Sequence, residues 1–157
     1  MPTSSLSRLL DTSKVLANRA RLRIVAALEG NELCVLQVAA IFDIARSTAS
    51  EHLSALRRSG LVVERRDGRF VFFSLATDER SRRFLDVVLD EVAADAAVTK
   101  DREMTARVLS LPHDLVCEKG REALEAAGLT NEVPSGPSSN PCTSSKPNTN
   151  IDLKEVP

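Results

Sequence analysis

The stretch from Ser47 to Leu75 constrains the fold more than any other part of the chain. Ser47 to Ser59 sets Ala49, Leu53 and Leu56 at i, i+4, i+7 on one helical face, and Gly60 stands where a left-handed residue closes a helix. Leu61-Val62-Val63-Glu64-Arg65 and Phe70-Val71-Phe72-Phe73-Ser74-Leu75 then flank Arg66-Asp67-Gly68-Arg69. Asp-Gly between such β-branched and aromatic runs is a strong hairpin signal, because both turn positions favour positive φ. The expected unit is a helix followed at once by a basic β-hairpin.

Helical patterns precede it. Leu6, Leu9 and Leu10 mark a short first helix; Asn18 to Glu29 repeats Leu22, Ile24, Val25 and Leu28, with Gly30 as a stop; Leu33 to Phe42 reads as a third helix ending near Asp43. After the hairpin a long fifth helix is expected from about Asp78 to Leu109. Its apolar positions Phe84, Val87, Val88, Val92 and Ala96 exceed what one monomer face buries. Pro112 starts a last helix that Gly128 stops. Five of seven Pro fall at 134, 137, 141, 147 and 157 among Ser, Thr and Asn, so residues 130–157 are expected to be a disordered tail. The expected division is 1–110 as the main domain, 111–129 as a C-terminal helix and 130–157 as the tail.

Composition narrows the partners. The net charge of −1 conceals an asymmetry: residues 1–75 hold 11 Lys+Arg against 7 Asp+Glu, and residues 76–157 hold 10 against 15. Arg46, Arg57, Arg58, Arg65, Arg66 and Arg69 supply most of the basic excess, as a surface that meets a polyanion would. Five Phe with no Trp or Tyr leave few rings for stacking on unpaired bases. No apolar run approaches the ~18 residues of a membrane span, and the first residues lack the pattern of a secretory signal. Cys34, Cys117 and Cys142, odd in number and widely spaced, do not form a disulfide framework, so a reducing cytoplasm is expected.

Helix, turn, helix and basic hairpin is the order of a winged helix-turn-helix, mainly α with a β-hairpin wing. With Ala49, Leu53 and Leu56 turned inward, Arg46, Ser47, Thr48, Ser50, Glu51 and Ser54 face outward, small enough to let a helix approach base edges in the major groove. Arg65, Arg66 and Arg69 surround the hairpin tip, placed for phosphates or the minor groove. His52 is a further candidate on this helix, although a hydrogen-bonded structural residue between helix and wing fits it better than a base reader. Singly, the Ser and Thr read as caps and the arginines as solvated charges; their order within thirty residues favours DNA.

The chain resembles the ArsR/SmtB family of bacterial repressors, and within it the arsenical-responsive branch. The resemblance rests on Glu32-Leu33-Cys34-Val35, on Ser50-Glu51-His52-Leu53-Ser54-Ala55-Leu56-Arg57-Arg58-Ser59-Gly60-Leu61-Val62 and on Arg66-Asp67-Gly68-Arg69-Phe70-Val71-Phe72-Phe73-Ser74-Leu75, and spans roughly Leu6 to Asp95. It implies a homodimer, joined through the first and fifth helices, that binds a palindromic operator in double-stranded DNA and leaves it when an inducer binds. No resident cofactor is required.

Arsenical members of the family carry Cys-Val-Cys in the third helix, whereas this chain has Cys34-Val35-Leu36. One thiolate does not make a tight site for trivalent arsenic. The resemblance implies that Cys117, with Cys142 and His113 as further candidates, completes a site with Cys34; His113 and Cys117 stand at i, i+4. Cys34 alternatively reads as a small buried apolar residue. Asp86-Val87-Val88 does not supply the family's dimer-helix metal motif, and Ala55 and Ser59 stand where recognition-helix cysteines would be needed.

Three functions compete. A repressor released by trivalent arsenic leads. A repressor sensing thiol oxidation or persulfide through Cys34 and Cys117 is the alternative within the class. A winged-helix module for protein contacts, without DNA, would show an apolar patch where this chain shows arginines. Enzymatic activity is not expected: His52 and His113 are the two His, neither has an oxyanion or substrate element beside it, and no glycine-rich phosphate loop occurs.

Overall fold

A computed structural model describes residues 5–129; Cys142 and the expected tail lie outside the described residues. Its elements run α1 (Ser5–Leu16), α2 (Arg19–Ala27), β1 (Leu33–Cys34), α3 (Val35–Phe42), α4 (Arg46–Arg58), β2 (Val62–Asp67), β3 (Phe70–Leu75), α5 (Glu79–Val92), α6 (Ala96–Leu109), α7 (His113–Lys119) and α8 (Arg121–Ala126). The fold is a winged helix-turn-helix, with α3 and α4 as the helix pair and β2–β3 as the wing.

Local chemistry sets the boundaries. Asn18 caps α2 by accepting the Arg21 N–H at 3.1 Å. The turn from α3 to α4 passes through Asp43 in the left-handed region, with φ of 52°. α4 closes in a Schellman motif: Gly60 at φ +79° donates to Arg57 O, and Leu61 donates to Leu56 O. Ile24, Val25 and Leu28 of α2, Val38 and Ile41 of α3, Ala49, Leu53 and Leu56 of α4, and Val62 and Phe73 of the hairpin form one buried core.

Four expectations need correction. Leu33 and Cys34 form not the first turn of a helix but a short strand, antiparallel to β3 with Leu33 opposite Phe73 and Cys34 opposite Phe72, in a sheet ordered β1-β3-β2. The wing turn is displaced by one residue. Asp67 pairs with Phe70, leaving Gly68-Arg69 as the loop, and of these only Gly68 has positive φ, at +58°. That is the II′ pattern, which requires glycine at its first position only.

The long fifth helix is two helices. α5 ends at Val92, and Asp95 caps α6 by accepting the N–H groups of Ala97 and Val98 at 2.8 and 3.3 Å. A continuous rod would carry Val98, Met104 and Val108 away from the body. The break folds α6 back on α2 and α3, where all three join the core. The last helix is likewise broken, at Gly120, whose φ of +54° is a backbone conformation that glycine adopts without strain and other residues rarely do.

α6 is held to α2 by an ion pair. Arg23 Nε and Nη2 donate to the two Asp101 carboxylate oxygens at 2.6 Å each, and Asp101 is only 4% exposed. The Arg23 guanidinium also lies 5.4 Å from the centre of the Phe42 ring.

Candidate functional site

Helix α4 buries Ala49, Leu53, Ala55 and Leu56 and leaves Arg46, Ser47, Ser50 and Glu51 exposed, with Thr48, His52 and Ser54 half-buried. Its outward face is small, polar and cationic at its start. No hydrophobic side chain interrupts it there, and a helix of this kind can press its backbone against base edges.

The wing arginines differ in their surroundings. Arg65 donates to Glu32 Oε2 at 2.7 Å and to Asp67 Oδ2 at 3.1 Å, and its guanidinium lies 5.4 Å over the Phe72 ring. The Arg65 hydrogen bond holds the Glu32 carboxyl below its ordinary range, and Glu32 with Asp67 raises Arg65. Arg69, in the turn itself, pairs with Glu118 of α7 and lies 4.9 Å over the Phe70 ring. Arg66 sits on the opposite strand face from Arg65, across from Val71, and has no ion-pair partner among the described residues.

Behind the wing lie two of the candidate ligands. Cys34 and Cys117 meet as a disulfide, with Cα atoms 6.4 Å apart across 83 positions of sequence. Wide spacing along the chain therefore did not prevent pairing: β1 puts Cys34 at the start of α3, and α7 lies against α3. Both are largely buried, at 5% and 8%, in a small cluster with Phe72, Leu36 and Phe70. The Cys34 N–H donates to Gln37 Oε1 at 2.8 Å, which steadies the first turn of α3. A cavity of about 560 Å³ opens beside the pair, lined by Leu36, Arg46, Arg69 and Phe70 among others. The cysteines thus share this cavity with the first residue of α4 and the wing turn.

His113 takes another position. Its ring stands edge-on to Phe70 and Phe72 at 6.4 and 6.3 Å, with Nε2 2.9 Å from Asp114 Oδ1. Among the described residues no cluster of three or more His, Cys, Asp or Glu gathers as a metal site. Sequence reasoning missed Glu118, whose partner Arg69 is distant in sequence, and Gln37, which its capping position three residues after Cys34 could have marked.

Residues 18–63 match the family model described as bacterial regulatory protein, arsR family. The chain is 35% identical over 113 residues to the HTH-type transcriptional regulator Rv0324 of Mycobacterium tuberculosis, across 71% of this chain and 48% of that protein. It is 41% identical over 64 residues to the arsenical resistance operon repressor of Escherichia coli, across 40% of this chain and 55% of the repressor. The matches thus span about half the length of these curated relatives. Among solved structures it is similar to the homodimeric winged helix-turn-helix DNA-binding domain (fragment 1–100) of a possible ArsR-family transcriptional regulator from Mycobacterium bovis, at 31% identity, 58% of this chain, 83% of that chain and a TM-score of 0.52.

Proposed function

Because the chain belongs to the arsR family of bacterial regulatory proteins, we propose that it is a sequence-specific transcriptional repressor, acting as a homodimer and released from its operator through the Cys34–Cys117 pair. The observation that carries this reading is the position of the two cysteines, on a cavity that Arg46 of α4 and Arg69 of the wing also line. A bond made or broken there acts on the DNA-reading elements directly. To move the equilibrium it must favour the released state by a differential free energy, and covalent sulfur chemistry present in only one state supplies that.

The pairing favours thiol oxidation as the signal. Two thiols yield one disulfide, and their two electrons and two protons pass to a peroxide-class oxidant that is reduced to water or to water and an alcohol. A second reading rests on the count of two sulfurs and on the likeness to an arsenical resistance repressor. The reduced pair then binds a monosubstituted trivalent arsenical, each thiol displacing one hydroxyl as water.

The experiment is DNA binding by fluorescence anisotropy on the protein's own promoter. Wild type should release on adding peroxide or the arsenical, and Cys34→Ser and Cys117→Ser should each bind like the reduced wild type and ignore both. Normal release by both variants would sink the assignment, and response to one reagent alone selects the signal. In the same assay Arg66→Ala should weaken all duplexes alike and flatten the salt dependence by about one unit of slope, while changes at Arg46, Ser47, Thr48 or Ser50 should alter base discrimination by roughly 1–3 kcal/mol.

Dimerisation has its own support. Leu6, Leu9 and Leu10 of α1 and Val87 of α5 are exposed at 67%, 48%, 50% and 64%. These are the two elements through which the family dimerises, and an apolar face of this kind is normally covered. Val87→Asp should shift the protein from dimer to monomer in sedimentation at micromolar concentration, since an unpaired charge in an apolar interface costs several kcal/mol. An unchanged sedimentation coefficient would place the interface elsewhere.

A further inference from the structure

Resting on the thiol-controlled reading above, we propose that Glu118 is a built-in competitor of DNA phosphate for Arg69, held in place by the Cys34–Cys117 bond. Helix α7 meets the wing and the strand β1 paired with it at three points. His113 stands against the Phe70 and Phe72 rings, Cys117 bonds Cys34, and Glu118, the next residue, pairs with Arg69. Arg69 occupies the two-residue turn at the far end of the hairpin. That is where a winged helix reaches the DNA backbone.

A carboxylate and a phosphate offer the same pair of oxygens to a guanidinium, so one excludes the other. The bond at Cys117 fixes the adjacent α-carbon, 3.8 Å along the chain, and with it the origin of the Glu118 side chain. Once the bond is broken, α7 is held by the buried Val116 and the ring contacts of His113, and nothing covalent pins Glu118 to the wing. Oxidation thereby does more than close a loop of the chain. It presents a negative group to a residue that would otherwise bind phosphate.

The pair is exposed, with side chains 70% and 45% accessible, so the effect is modest and readable. Operator affinity is measured against salt for reduced and peroxide-oxidised protein, with the disulfide content of each sample checked by alkylation and mass spectrometry. Oxidised Glu118→Gln should bind about two- to five-fold tighter than oxidised wild type. Its salt slope should be steeper by about one, because one more phosphate contact forms. The two reduced proteins should be alike. The gain should vanish in the Arg69→Ala background and be absent from Glu122→Gln, which removes the same charge from the exposed surface of α8. No gain, an equal gain in the reduced state, a gain that survives without Arg69, or one matched by Glu122→Gln overturns the proposal. The thiol-controlled reading is tested separately by wild type before and after peroxide, whose affinities must differ whatever share Glu118 carries.

Discussion

Arg23→Ala is expected to lower the unfolding free energy by about 3 kcal/mol, the low end of what removing one partner of a buried ion pair costs. Asp101 is 4% exposed, and both of its carboxylate oxygens are taken by Arg23. Losing the guanidinium leaves that charge buried with no counter-ion. The Arg23 side chain is itself 32% accessible, which moderates the loss toward the low end of the range. The cation over the Phe42 ring is lost as well. Urea denaturation followed by circular dichroism gives the value. Arg23→Ala combined with Asp101→Ala should be less destabilised than Arg23→Ala alone, because neither charge is then stranded. A single variant within 1 kcal/mol of wild type, or a double variant worse than the single, would show that the pair does not hold α6 to α2.

Reduction of the Cys34–Cys117 bond should lower stability by about 2–4 kcal/mol, the usual range for a disulfide closing a long loop. The two residues are 83 positions apart, so the unfolded chain loses much freedom when they are joined. The urea midpoint should fall on adding dithiothreitol to wild type and stay put for Cys34→Ser with Cys117→Ser. An unchanged wild-type midpoint would mean that the bond does not form in the folded protein in solution. Stability and release are then two readouts of one bond, and a reductant moves both.

Much of this architecture was legible because its signals are local. The inward Ala49, Leu53 and Leu56, the glycine at 60 and the β-branched runs around residues 67–68 each report on their own few neighbours, and together they spell the winged helix-turn-helix. What escaped depended on partners distant in sequence. Ala93 and Ala94 are good helix formers and hide the stop, leaving Asp95, a favourable N-cap, as the local mark of a new helix; the break forms because α2 and α3 offer Val98, Met104 and Val108 a place to bury. Leu33 and Cys34 carry the apolar character of the helix that follows, and only the edge of β3 turns them into a strand. The turn shifted by one residue because a II′ loop needs glycine at its first position, which Gly68-Arg69 supplies and Asp67-Gly68 does not. For the candidate site, Cys34 and Cys117 were identifiable by chemistry, while their meeting, and the carboxylates that occupy Arg65 and Arg69, were properties of the folded chain.

The return of α6 onto α2 has a consequence for how the protein is made. Arg23 meets Asp101 78 positions later. At roughly 5–20 residues per second the ribosome reaches position 101 some 4–16 s after position 23. The wing is complete at Leu75, so over the last stretch of that interval, roughly 1–5 s, the helix pair and its wing have been synthesised while the side of α2 and α3 that α6 will cover is still open. A nascent chain halted before α6 presents that apolar side to whatever is near, so α6 acts for the newborn helix pair and wing as a cover that arrives last.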